Sequence, residues 1–152
     1  MAIAFQVERY ADVIGDIKPL IVRHWEEIAR NRDTIKLEPD YARYLALDER
    51  GQLLICTARD GGRMIGYAIY FVDFQIHYSK TRWAESDVFW IDPELRLPTA
   101  ALRLFQFVEE QLLERGVMVV HTRAKNAHPA AGRLLEHLGH TPIETVYAKV
   151  LT

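Results

Sequence analysis

The chain of 152 residues holds one cysteine, Cys56. That count excludes an intrachain disulfide and a zinc site built on cysteines. A lone thiol predicts a reducing, cytoplasmic compartment. No stretch approaches 18 uninterrupted apolar residues, so no membrane partner is expected. Glu8, Arg9, Asp12, Asp16 and Lys18 interrupt any apolar signal core near the start. Charge of one sign is also scarce. Nineteen Lys and Arg face 21 Asp and Glu, a net charge of −2. Arg96, Arg103 and Arg115 are interspersed with Glu109, Glu110 and Glu114, so no basic face for nucleic acid is expected. Repeats and Pro/Gly/Ser-rich linkers are missing, which predicts one domain over residues 1–152.

What is present is ordinary globular material, 49% hydrophobic and 26% charged. Residues 2–8 (AIAFQVE) alternate like a strand. Ile17, Leu20, Ile21, His24, Trp25 and Ile28 repeat at helical spacing, and Pro19, tolerable only in a first turn, predicts a helix over 16–30. A short helix over 41–47 follows Pro39 and Asp40. Strands are expected at 52–59 and 63–76, joined by the turn Asp60-Gly61-Gly62, and at 83–91 after a break over 77–82. A helix after Pro98 carries Ala101, Leu104, Phe105, Val108, Leu112 and Leu113 on one stripe and stops at Gly116. A strand at 117–122, a helix at 129–138 and a last strand at 144–151 complete the chain. The order is β-α-α-β-β-β-α-β-α-β, a mixed α/β (α+β) sheet with an antiparallel meander and one right-handed parallel crossover.

The stretch Ile91-Asp92-Pro93-Glu94-Leu95-Arg96-Leu97-Pro98-Thr99-Ala100-Ala101 joins a strand to a helix N-terminus. Unpaired N–H groups and the helix dipole make such a junction a phosphate site, and Arg96 adds charge. Here the chain resembles the GNAT superfamily of acyl-CoA-dependent N-acetyltransferases. IDPELR is similar to that family's end-of-strand element. RLPTAA is similar to its pyrophosphate loop at the first and last positions, and LLEHLG to its last helix end. Residues 121–128 with the following LLEHLGH and YAK are similar to bacteriophage-encoded members. Departures are Thr99 for the loop's central glycine, Leu135 for a tyrosine general acid, and Gly139-His140 for Gly-Phe.

The resemblance implies the GNAT fold and transfer of an acetyl group from acetyl-CoA to a primary amine of a small molecule or protein, by direct attack. It implies acetyl-CoA along Arg96, Leu97, Pro98, Thr99, Ala100 and Ala101, pantetheine beside Phe89, Trp90 and Ile91, and a cofactor contact at Asn126. A free amine has a pKa of about 10.4 and must lose a proton to attack. Glu85 and Asp87, two apart on one strand, are the carboxylates available, expected to share a face with Phe89 and Ile91. Asp87, nearer the thioester, is the preferred base. The plainer readings are a solvent-facing strand end or a pair with Arg82 for Asp87, and a surface charge for Glu85.

The departures carry an alternative: a GNAT fold kept as a binding or regulatory protein, such as a phage factor acting on a host protein. His121, His128, His137 and His140 have no common metal-ligand spacing, so no metal is expected. Asn126 reads equally as an N-cap. His77 and Tyr78 read as loop or acceptor-pocket lining, Tyr147 as core or a substitute acid, and Cys56 as a small buried hydrophobe. Aromatic-rich central strands would favour a homodimer if a face were exposed.

Overall fold

The computed structural model describes every residue except Met1 and Leu97, with Pro98 described by its backbone alone. The elements are β1 (Ile3–Val7), α1 (Tyr10–Ile28), α2 (Tyr41–Glu49), β2 (Leu53–Asp60), β3 (Arg63–Gln75), β4 (Tyr78–Ile91), α3 (Pro98–Glu114), β5 (Val117–His121) and α4 (Pro129–His137). One sheet runs β1-β2-β3-β4-β5. All its pairings are antiparallel except β4 with β5, which are parallel across α3. This is the mixed α/β sheet and parallel crossover expected from the sequence.

The continuous apolar run of β2 is explained by helices on both faces. Leu54 and Cys56 join Leu104, Val108 and Leu112 of α3 in one core. Leu53 and Ile55 join Val13 and Ile17 of α1 in the other. The two-residue period thus splits one run between two layers. The glycines of the β2–β3 turn have φ of 56° and 84°, the mirror-type geometry that fits strand twist. Gly66 lets β3 close on β4, since a Cβ there would stand 2.8 Å from the Trp90 carbonyl oxygen. The aromatic centre of the sheet is covered, with Tyr67 and Tyr70 fully buried. The aromatics exposed on these strands lie toward their far ends, at Phe71, Phe74 and Tyr78.

Three expectations are corrected. Helix α1 begins at Tyr10, not at residue 16, and Pro19 lies inside it. An interior proline costs about 3 kcal/mol. The added turns bury Tyr10 and Val13, at about 1.5–3 kcal/mol each, which offsets that cost. Strand β4 starts at Tyr78, and the expected break survives as a jump in register from Gln75↔Tyr78 to Phe74↔Arg82. The last strand, 144–151, does not form: residues 141–152 belong to no helix or strand. Tyr147 is accordingly 92% exposed rather than packed in the core or turned into a cleft. Among the described residues no helix is long and apolar enough to cross a membrane.

Candidate active site

Strands β4 and β5 lie side by side for only part of their length. Their ladder joins Arg82, Trp83, Ala84 and Glu85 to Val117, Val119, Val120 and His121. There β5 ends, while β4 continues to Ile91. Just past the last pair, the Arg123 N–H donates to the Ser86 hydroxyl at 2.9 Å, and Tyr70 and Thr122 share a hydroxyl hydrogen bond of 2.7 Å. Side chains therefore bridge the point where the strands part. The wedge opens at the C-terminal end of β4, the end that leads through a 3₁₀ turn (Pro93–Leu95) into the N-terminus of α3.

Asp87 sits where β4 is irregular. Tyr70 pairs with Ser86 and Ile69 with Val88, so Asp87 is an extra, unpaired residue. This bulge corrects the expected common face. Past it, Phe89 and Ile91 turn to the α3 side, while Val88 and Trp90 pack toward α1 and α2. Phe89 meets Phe105 edge-on at 5.1 Å. Asp87 accepts a hydrogen bond from the Tyr44 hydroxyl of α2. Burial pushes the Asp87 carboxyl above the ordinary carboxylate range, and the Tyr44 hydrogen bond opposes that in part. Asp87 is neither a solvent-facing strand end nor a partner of Arg82, whose guanidinium donates to the Arg115 carbonyl at 2.7 Å.

Glu85 lies on the same side of β4. One oxygen is 3.0 Å from His121 Nδ1 and the other 3.0 Å from Arg123 Nη1. With Phe71, Phe74, His77 and Trp83 it lines a hollow of about 310 Å³. Trp83 Nε1 is buried and has no hydrogen-bond partner among the described residues. Tyr44, Arg43 and Leu47 line a second hollow of about 440 Å³, and Phe71 is common to both.

Residues 19–140 match the acetyltransferase (GNAT) family. The chain belongs to this family. No curated protein matches it. Among solved structures it resembles a ribosomal-protein-alanine N-acetyltransferase from Brucella melitensis, with 16% identity, TM-score 0.74, and 99% of this chain and 100% of that one covered. It also resembles an aminoglycoside acetyltransferase from an uncultured soil metagenomic sample in complex with sisomicin, with 15% identity, TM-score 0.76, and coverage of 99% and 95%. A glucosamine-6-phosphate N-acetyltransferase from Arabidopsis thaliana is 9% identical, with TM-score 0.71 and both chains covered in full. At such identities the likeness is one of fold.

In this GNAT chain the remaining expected residues separate into surface and core. The Arg96 guanidinium donates to the Ile91 carbonyl at 3.1 and 2.7 Å and to Glu27 at 2.8 and 3.1 Å. It ties the end of β4 to α1. Trp90 is buried, and its indole N–H donates to Glu27 at 2.8 Å. Glu27 is held below the usual carboxylate range by Arg96 first. Ile91 and Ala100 are buried in the α3 core, with Ala101 packed against it, and Thr99 is exposed on the first turn of α3. Leu97 and the Pro98 side chain fall outside the described residues. Asn126 is exposed in a turn and does not cap α4; that place belongs to His128, whose side chain makes no cap bond. Leu135 is buried in α4. Cys56 is buried, and burial pushes its thiol up to about 12, unsuited to nucleophilic work.

Sequence reasoning missed Tyr44, Glu27 and Arg23. Each acts across more than 40 positions, and none sits in a local motif. It also missed His24 as a buried polar group. Its Nδ1 lies 2.8 Å from the Tyr67 hydroxyl, and burial lowers its pKa to about 4, which keeps the ring neutral.

Proposed function

We propose that this protein is an acetyl-CoA-dependent N-acetyltransferase that acetylates a primary amine by direct attack. The observation that carries the reading is the wedge between β4 and β5, open beside the N-terminus of α3 in a chain of this family. The residues fit the co-substrate. Backbone N–H groups at the start of α3, around Thr99 and Ala100, suit a pyrophosphate. The parted length of β4, with Phe89 at its edge, suits the pantetheine arm and offers N–H groups on its β5 side to the acetyl oxygen. Acetyl-CoA supplies an activated thioester: the C–N bond forms as the C–S bond breaks.

This chain's own part is handling charge and protons. Glu85, in the wall of the first hollow, attracts an ammonium. Asp87, with its raised proton affinity, accepts the proton that the amine must lose, and Tyr44 holds that carboxylate in place. The thiolate leaves unaided or takes a proton from water, since a thiol pKa near 8.5 makes acid help dispensable. Hence Leu135 in place of a tyrosine does not disable the site. The acceptor is a small molecule or protein amine, the compartment is cytoplasmic, and the resemblance to phage-encoded members bears on origin alone. The test is calorimetry with acetyl-CoA, followed by thiol release with a panel of amines. Micromolar binding and acceptor-dependent release are expected. No binding at high micromolar acetyl-CoA overturns the reading.

A further inference from the structure

The hollow beside Glu85 holds a second carboxylate for which the transfer step has no use. Asp73 of β3 lines it, together with Phe71, Phe74, Trp83 and Glu85. The two acids differ in their partners. Glu85 is shared by Arg123 and His121. Asp73 has neutral donors: the Gln52 amide donates to Oδ2 at 2.8 Å and the Phe74 N–H to Oδ1 at 2.7 Å. No Lys, Arg or His forms an ion pair with it among the described residues. The two bonds fix the carboxylate in place and do not cancel its charge.

Aromatic rings complete the wall. Phe71 and Phe74 are 36% and 50% exposed, although both are large and apolar. The face of such a ring attracts a cation. Phe74 already carries one, since the Arg82 guanidinium lies 5.0 Å from its centre. The wall itself contains no Lys or Arg. A carboxylate and ring faces without a cation of their own are complementary to an organic cation, not to an anion.

The strand ladder gives the distance to the reaction point. Tyr70 pairs with Ser86 and Ile69 with Val88, so Asp87 lies level with a point between Ile69 and Tyr70. Asp73 is three positions beyond Tyr70 on β3. The rise per residue and one strand spacing place the two aspartates about 12 Å apart. Phe71 lies between them and is common to this hollow and to the one lined by Tyr44. The path from one acid to the other therefore runs over an apolar ring.

We propose that Asp73 is a specificity-determining residue: with Phe74 and Trp83 it holds a second ammonium of the acceptor while the first amine reacts beside Asp87. The acceptor is then a long aliphatic diamine, with about 12 Å between its nitrogens and its bare hydrocarbon chain on Phe71. This subsite rests on the acetyl transfer proposed above and adds to it. The C–N bond forms at the first nitrogen as the C–S bond breaks, and the second nitrogen keeps its proton throughout.

The test is thiol release from acetyl-CoA with three amines. Diaminooctane reaches roughly the required span. Octylamine has the same chain without the second charge, and diaminobutane is too short. The kcat/KM for diaminooctane should exceed that for octylamine by about tenfold at low salt, the sum of an exposed ion pair and a cation–π contact. The gain should lie in KM, because the second ammonium is bound equally before and during reaction. It should shrink as salt rises. Diaminobutane should show no such gain over butylamine. Asp73→Asn should erase the preference for diaminooctane over octylamine, and Asp73→Glu should restore most of it. Equal rates for diaminooctane and octylamine, a preference that survives Asp73→Asn, or release with other amines alone would overturn the subsite and leave the transferase reading standing. Release with no amine at all would overturn both.

Discussion

Asp87 on strand β4 and Asp92 just past its end lie five positions apart, and their surroundings are opposite. Asp92, the first residue after the strand, is buried and fully paired. Arg23 donates to both its oxygens at 2.9 Å, and the Glu94 N–H donates to Oδ1 at 3.1 Å. These bonds, Arg23's first, hold it below the usual carboxylate range. Asp87, at the bulge, has one neutral donor, the Tyr44 hydroxyl, and burial raises it. A permanently ionised carboxylate is a fastener, since it gives up its charge only at low pH. A carboxylate pushed toward its neutral form is a better base. One residue type therefore serves structure at one position and, in the reaction proposed above, proton transfer at the other, and the difference lies in the partners.

The sharpest break of this comparison is Asp87→Asn. Loss of a general base costs about 10²- to 10⁴-fold in kcat/KM. The fold should not suffer. The folded pKa of Asp87 lies above its unfolded value, so the folded state binds more protons, and stability falls as pH rises through that window. At neutral pH the carboxylate is a burden that asparagine removes while still accepting from Tyr44. The expected outcome is an unchanged or slightly higher melting temperature with most activity gone. Full activity in the variant would remove Asp87 from the mechanism.

Asp92→Asn should give the reverse. Here the folded pKa is depressed, so the stabilisation is present above the unfolded value and is lost as pH falls through the folded one. Arg23 is partly exposed and can rehydrate, which limits the loss to about 2–3 kcal/mol in urea unfolding at pH 7. A neutral effect would mean that the end of β4 is held by Arg96 and Glu27 alone.

Much of the two regions was legible in the sequence, for a physical reason. Patterns of period two and 3.6, the Gly61-Gly62 turn and the Pro98 helix start are local, so the sheet, its crossover and the phosphate-type junction could be read directly. The bulge could not. It comes from how β3 and β4 register over many residues, and it moved Phe89 and Ile91 to the face opposite Asp87. Tyr44 was invisible too, because its partner is 43 positions away. The tail was misread for a related reason: a strand needs a neighbour, and β-propensity alone does not supply one.

The junction next to Asp92 can be tested without touching either aspartate. Thr99 is exposed on the first turn of α3, so Thr99→Glu adds an anion where a pyrophosphate is proposed to sit. A glutamate there stabilises the helix by about 0.3–1 kcal/mol. Its repulsion should weaken acetyl-CoA by about tenfold at low salt, and less at high salt. KM for acetyl-CoA should rise while kcat holds, the opposite split from Asp87→Asn. Equal affinity for the two proteins would move the pyrophosphate away from the start of α3.

Tyr44→Phe is the smallest change and the finest probe of Asp87. The Tyr44 hydroxyl donates to the carboxylate and so lowers its pKa against the larger, raising effect of burial. Phenylalanine removes the donor and keeps the ring that stacks on Tyr10 at 5.0 Å. The stability cost should be about 1 kcal/mol, one hydrogen bond. Asp87 should then hold its proton to still higher pH. The acidic limb of kcat/KM should move upward by a fraction of a unit relative to the unaltered protein with the same acceptor, whose own ionisation cancels in the comparison. A purely structural tyrosine would lower the melting temperature and leave the limb in place. A downward shift would mean that Tyr44 favours the protonated carboxyl, and would reverse the proton traffic proposed for the site.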